Sequence, residues 1–147
     1  MKPDNRASFQ HQRGVGLIEV LISMIILALC MLGIAALQTT ALRNNQSAQS
    51  RSMATILSAS IIDAMRANAT AARSGQYNVG VCENPGGDVL VQLDIVTWIL
   101  SLKSAIGVTA CGGIRCVGGL CDITVQWDDS RATAGDQAYT VTTRIQL

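Results

Sequence analysis

Charge is scarce in this sequence. Asp, Glu, Lys and Arg make up 14% of the 147 residues, against about a quarter in an ordinary soluble domain, so an unusually apolar segment has to lie somewhere along the chain. Neither sign dominates: 11 Lys and Arg stand against 10 Asp and Glu, which leaves no electrostatic footprint for nucleic acid. Proline is absent between Val15 and Asn68, so nothing there forces a helix to stop. Histidine occurs once, at His11. A chain of this length holds one domain with a core of its own and has little room for a second.

The apolar segment runs from Val15 to Leu37, VGLIEVLISMIILALCMLGIAAL, and after Glu19 it carries no charge. As a helix rising ~1.5 Å per residue it covers roughly 27–35 Å, close to the ~30 Å hydrocarbon thickness of a bilayer. Lys2, Arg6 and Arg13 precede it with only Asp4 opposing. The positive-inside bias therefore keeps the N-terminus cytoplasmic and sends the rest of the chain outward. Two other readings compete. A secretory signal peptide would be cut at small residues such as Ala35-Ala36, with loss of the anchor. A lipoprotein signal at Cys30 is opposed by the bulk of Leu29, which occupies the position before the cysteine.

Residues Arg13 to Glu19 read RGVGLIE: a basic leader ending in glycine, then an apolar helix with Glu at its fifth position. This pattern resembles the type IV prepilins. The resemblance implies that a membrane-bound prepilin peptidase cuts between Gly14 and Val15 and methylates the new amine of Val15. Residues 1–14 are then a cytoplasmic leader that is removed, and 15–37 persist as transmembrane anchor and assembly helix. Val15 and Gly16 stand where the family more often has Phe or Met and Thr or Ser. Glu19 has most to explain, because a carboxylate inside an apolar helix costs roughly 2.5–3.5 kcal/mol unless neutralised or paired. It lies near enough to the mature N-terminus to reach the headgroup region. The resemblance implies a sharper role, pairing with the Val15 amine of a neighbouring subunit and so setting the axial register. Ser23, Cys30 and Gly33 read as ordinary anchor residues, Cys30 as a small buried side chain.

Beyond Leu37 the hydrophobicity turns periodic. Met53, Ile56, Leu57, Ile61, Ala64 and Met65 recur at three- and four-residue steps, with Arg51, Asp63 and Arg66 elsewhere on the wheel, so residues 38–68 read as an amphipathic continuation of one long helix. The LRNNQSA block at Leu42–Ala48 and the DAMRAN block at Asp63–Asn68 resemble a narrower group, the PilV-type minor pilins. Residues 69–147 read as a globular head. Ala69 to Asp88, with Pro85-Gly86-Gly87, reads as a loop. Val89 to Ala105 reads as a short helix that brings Leu90, Leu93, Val96, Trp98, Ile99 and Leu102 together, with Trp98 as packing anchor. Gly113–Val117, Cys121–Trp127 and Tyr139–Leu147 alternate as strands, with a hairpin turn at Gly118-Gly119 and a polar connection over 128–137. The expected fold is α+β: a long N-terminal helix against a small antiparallel sheet, as in pilins.

Four of the five cysteines, Cys82, Cys111, Cys116 and Cys121, fall in the expected extracytoplasmic head, where two disulfides are the favoured reading. Three pairings are open. Cys116 and Cys121 could face each other across the hairpin, leaving Cys82 to Cys111. A four-cysteine zinc site is the alternative, though its spacing lacks a close pair. If the leader is removed, the mature chain has no histidine, which excludes Ser-His and Cys-His catalysis and His-ligated metals. Asp128 and Asp129 read as paired acids at a strand end, facing solvent or a turn. No phosphate loop or calcium loop is present, so no cofactor, metal or enzymatic role is expected. The resemblance implies a minor pilin of the inner membrane, head in the periplasm. There it would join other minor pilins and the major pilin as a hetero-oligomer that primes or enters a pilus serving motility, adhesion or DNA uptake. A minor pseudopilin of a type II secretion system and a monomeric membrane-tethered binding domain are the alternatives.

Overall fold

The computed structural model describes residues 16–147. The element order is α1 (Leu17–Ala67), α2 (Ala69–Arg73), α3 (Val89–Ala105), β1 (Cys111–Val117), β2 (Leu120–Trp127) and β3 (Tyr139–Gln146), which makes the chain α+β in the pilin arrangement of a long helix and a small antiparallel sheet. It divides into two compact units, the first ending at Thr39 and the second covering Thr40–Leu147.

Helix α1 is continuous over 51 residues, as the absence of proline allows. Asn68 leaves helical geometry (φ −120°, ψ 51°), and the short α2 follows in a segment the sequence suggested was all loop. The Pro85-Gly86-Gly87 stretch ends in Gly87 at φ 103°, a conformation that favours glycine. Asp88 then caps α3, its carboxylate accepting from the Val89 amide at 2.8 Å, the usual answer to an unpaired helix N-terminus.

The sheet has the order β1-β2-β3, antiparallel throughout. Gly118 and Gly119 turn the first hairpin at φ 60° and 84°, the twin left-handed pair that matches strand twist in a two-residue turn. Its outer face is polar. Thr124 and Thr142 hydroxyls lie 3.2 Å apart, and Arg144 grips Asp122 at 2.6 and 2.9 Å, which holds the Asp122 carboxyl below its usual range. Its inner face, Ile114, Cys116, Cys121, Ile123, Val125 and Trp127, joins Ile61, Ile62 and Met65 of α1 and Val91, Ile95, Trp98 and Leu102 of α3 in one core. Alternation puts these strand residues inside.

Trp98 is buried, and its indole Nε1 donates to the Leu57 carbonyl of α1 at 2.9 Å, so one side chain ties α3 to α1 by packing and by a hydrogen bond. Gly112 lies flat under that ring: a Cβ there would overlap the indole. Two sequence expectations fail on register. Ile56 is exposed at 58%, because the buried stripe of α1 is Ser47, Ala54, Ser58, Ile61, Ile62 and Met65. Leu90, Leu93 and Val96 are exposed too, since α3 buries Val91, Ile95, Trp98 and Leu102.

Candidate functional site

Two regions bear on function, the N-terminal part of α1 and the head surface around its second half. Gly14 and Val15 lie outside the described residues. From there α1 begins at once: the Gly16 carbonyl accepts from the Glu19 amide at 2.9 Å and from the Val20 amide at 3.4 Å. Glu19 sits in the first turn, where the helix dipole favours a carboxylate. Among the described residues it forms no ion pair. Ser23 donates to the Glu19 carbonyl at 2.7 Å and Thr39 to the Ala36 carbonyl at 2.8 Å, so both hydroxyls are satisfied within the helix, as a nonaqueous environment demands. Residues 16–46 are all exposed, Cys30 included as a free thiol, although the helix is long and apolar enough to cross a membrane. Gly33 has open space where a Cβ would stand.

The head cysteines are joined Cys82–Cys111 and Cys116–Cys121. The second bridge links directly opposed residues of the β1–β2 hairpin. The first holds the segment around Val79–Cys82 along the outer edge of β1, where Val79 and Ile114 exchange backbone hydrogen bonds at 2.9 Å and the Cys82 amide reaches the Gly112 carbonyl at 3.4 Å. That edge is thereby covered, while β3 forms the other edge of the sheet.

Sequence reasoning misplaced Asp129. Asp128 is exposed and holds the Ser130 amide at 2.9 Å, and its hydrogen bonds with Ser130 keep its carboxyl below the usual range. Asp129 is turned inward, 7% exposed, and accepts from the Ser47 hydroxyl of α1 at 2.6 Å. Arg51 approaches the same carboxylate at 3.5 Å and lies over the Tyr139 ring, 4.3 Å from its centroid. The Tyr139 ring in turn sits tilted against Trp127, their centroids 5.1 Å apart. With Thr133 donating to Asn44 at 2.8 Å, these contacts clasp the β2–β3 connection to Asn44, Ser47 and Arg51 of the helix. The available signal was Ser47, a small hydroxyl two turns ahead of Ala54 on the buried stripe.

Beside the clasp is a cavity of about 450 Å³ whose walls include Arg43, Gln46, Ser50, Trp127 and Arg131. It offers guanidinium groups and hydroxyls, with no thiol or imidazole among its lining residues. The Trp127 indole nitrogen is buried without a hydrogen-bond partner among the described residues. Elsewhere, burial and a 2.5 Å hydrogen bond to Asp94 push the Tyr77 phenol up to about 12. Among the described residues no three His, Cys, Asp or Glu side chains gather as a metal site would require.

Residues 9–35 match a known family model, the prokaryotic N-terminal methylation motif. No curated protein and no solved structure matches the chain. The match covers the expected leader boundary, Glu19 and most of the exposed apolar part of α1. The N-terminus is therefore a type IV prepilin-like signal, of the kind that pilins and pseudopilins share, running into a helix suited to membrane anchoring.

Proposed function

We propose that the chain is a minor type IV pilin of the PilV type. The prepilin peptidase removes the leader after Gly14 and methylates Val15. The anchor then holds the protein in the inner membrane with its head in the periplasm, until it joins other minor pilins and the major pilin to prime or enter a filament. The observation that carries this reading is the prepilin-like signal over residues 9–35 leading straight into α1, a helix whose apolar stretch up to Leu37 is exposed and so needs lipid or other helices to cover it. Glu19 then acts as the register device: buried in a filament core, its carboxylate is stabilised only by the Val15 amine of the adjacent subunit, which fixes the stagger. The Leu42–Ala48 and Asp63–Asn68 blocks favour a pilus over a secretion pseudopilus.

Intact mass and N-terminal sequencing of membrane-extracted protein, with and without the peptidase, test the processing. A chain starting at methylated Val15 only when the peptidase is present is expected, and one starting at Met1, or cut near Ala36, overturns the reading. Glu19→Ala is expected to insert and be processed normally yet to be missing from sheared filaments.

A further inference from the structure

Helix α3 has two apolar faces. Val91, Ile95, Trp98 and Leu102 enter the core. Val89, Leu93, Val96 and Leu100 follow each other at the same steps of four, three and four, but on the other side, where they are exposed at 78%, 61%, 41% and 60%. Those steps are the alternating d and a positions of a coiled-coil seam. Single exposed leucines need no explanation. Four large apolar side chains in seam register, widened by Leu90 at 55% exposed, form a contiguous patch of the kind that marks an interface.

The ends of the helix identify the occupant. Asp88 caps the N-terminus, and Lys103, in the last turn, takes the next seam position after Leu100. A helix acidic at one end and basic at the other is complementary to its own copy laid antiparallel, whereas a parallel pair would set like charges side by side. We propose that α3 is a homotypic docking helix: two copies of this chain pair through antiparallel α3 helices, with Val89 against Leu100 of the second copy, Leu93 against Val96, and Lys103 reaching toward Asp88. This goes beyond the pilin reading and does not rest on it, since the pairing would form with the leader on or off.

The test uses the full chain in detergent micelles, in a Cys30→Ser background that removes the free thiol. Val89→Cys and Leu100→Cys proteins, differently tagged, are mixed and oxidised. A disulfide-linked mixed dimer is expected, with no dimer from Val89→Cys alone, because in the antiparallel pair its two copies lie roughly 16 Å apart along the axis. Adding Leu93→Asp to both partners is expected to lower the mixed yield by about tenfold or more, with far-UV circular dichroism and the head disulfides unchanged. Cross-linking of Val89→Cys to itself, absence of the mixed dimer, or a yield that Leu93→Asp leaves intact overturns the proposal. A monomeric chain that pairs only when a different pilin-like subunit is added does so as well.

Discussion

The two parts of helix α1 invert the ordinary rule of burial. Residues 16–46, the more apolar part, are all exposed. The part that is covered within its own unit is lined by Ser47, Ala54 and Ser58 alongside Ile61, Ile62 and Met65. Hydrophobicity alone therefore does not say what a helix packs against. A uniformly apolar helix surface is matched to lipid or to other helices, while the covered stripe mixes small residues with large apolar ones. Ser58 can be buried there because its hydroxyl donates to the Ala54 carbonyl at 2.8 Å, and Ser47 because Asp129 accepts from it.

The sharpest contrast is expected between the α3 side chain that ties the head to the covered part of α1 and a side chain of the exposed part. Trp98→Ala removes a buried indole and its hydrogen bond to the Leu57 carbonyl, and should lower head stability by about 3–5 kcal/mol. Leu27→Ala, in the exposed part, should change it by less than about 0.5 kcal/mol. Denaturant unfolding in micelles, followed by tryptophan fluorescence for Leu27→Ala and by circular dichroism for both, measures the contrast. Equal effects would mean that the exposed part of α1 contributes to stability as much as a core tryptophan does.

The disulfides give the next largest effect. Opening Cys82–Cys111, with a sequence separation of 29, against Cys116–Cys121, with a separation of 5, should cost about 3.5 and about 2 kcal/mol respectively by chain entropy. Paired Cys→Ser variants compared by thermal melting check the order. A smaller cost for Cys82–Cys111 would show that the segment it fastens to the β1 edge is held by its backbone hydrogen bonds alone.

Asp129→Ala strands the Ser47 hydroxyl and the Arg51 guanidinium, and is expected to cost about 1–3 kcal/mol, whereas Asp128→Ala, on an exposed neighbour, should cost under about 0.5 kcal/mol. The two variants, compared by urea unfolding, show whether the clasp contributes to stability.

The smallest effect concerns Tyr77. Its phenol titrates near 10 when unfolded and at about 12 in the fold. Below pH 10 both states keep the proton, so the shift contributes nothing. Between pH 10 and about 12 the unfolded chain loses the proton first, so stability falls as pH rises. Tyr77→Phe should flatten that alkaline decline in a pH series of melting temperatures, and an unchanged slope would assign the decline to other groups.

Much of this was legible in the residues. The signal around Gly14 and Glu19 is a local pattern, and helix α1 follows from an unbroken run without proline. The 89–105 helix and the three strands follow from periodicity and turn glycines, each signal lying within a few residues of the element it specifies. The register within each helix was harder. In α3 the apolar residues cover two sides, so a count of hydrophobic steps does not decide which set is buried: of the six expected together, Trp98 and Leu102 enter the core while Leu90, Leu93 and Val96 do not. Asp129 was unreadable for a related reason: an acid at a strand end is ordinarily solvated, and what buries this one is a serine and an arginine more than seventy residues earlier.

The sequence by itself determined what is local: where the helices and strands lie, where a prepilin-like signal stands, and that one helix carries a long apolar stretch. Only the tertiary structure decided which face of α3 meets the core, which of two adjacent aspartates is withdrawn from water, and that small residues of α1 hold the β2–β3 connection. Those choices depend on the fit between surfaces distant in sequence, and pattern along the chain carries no measure of that fit.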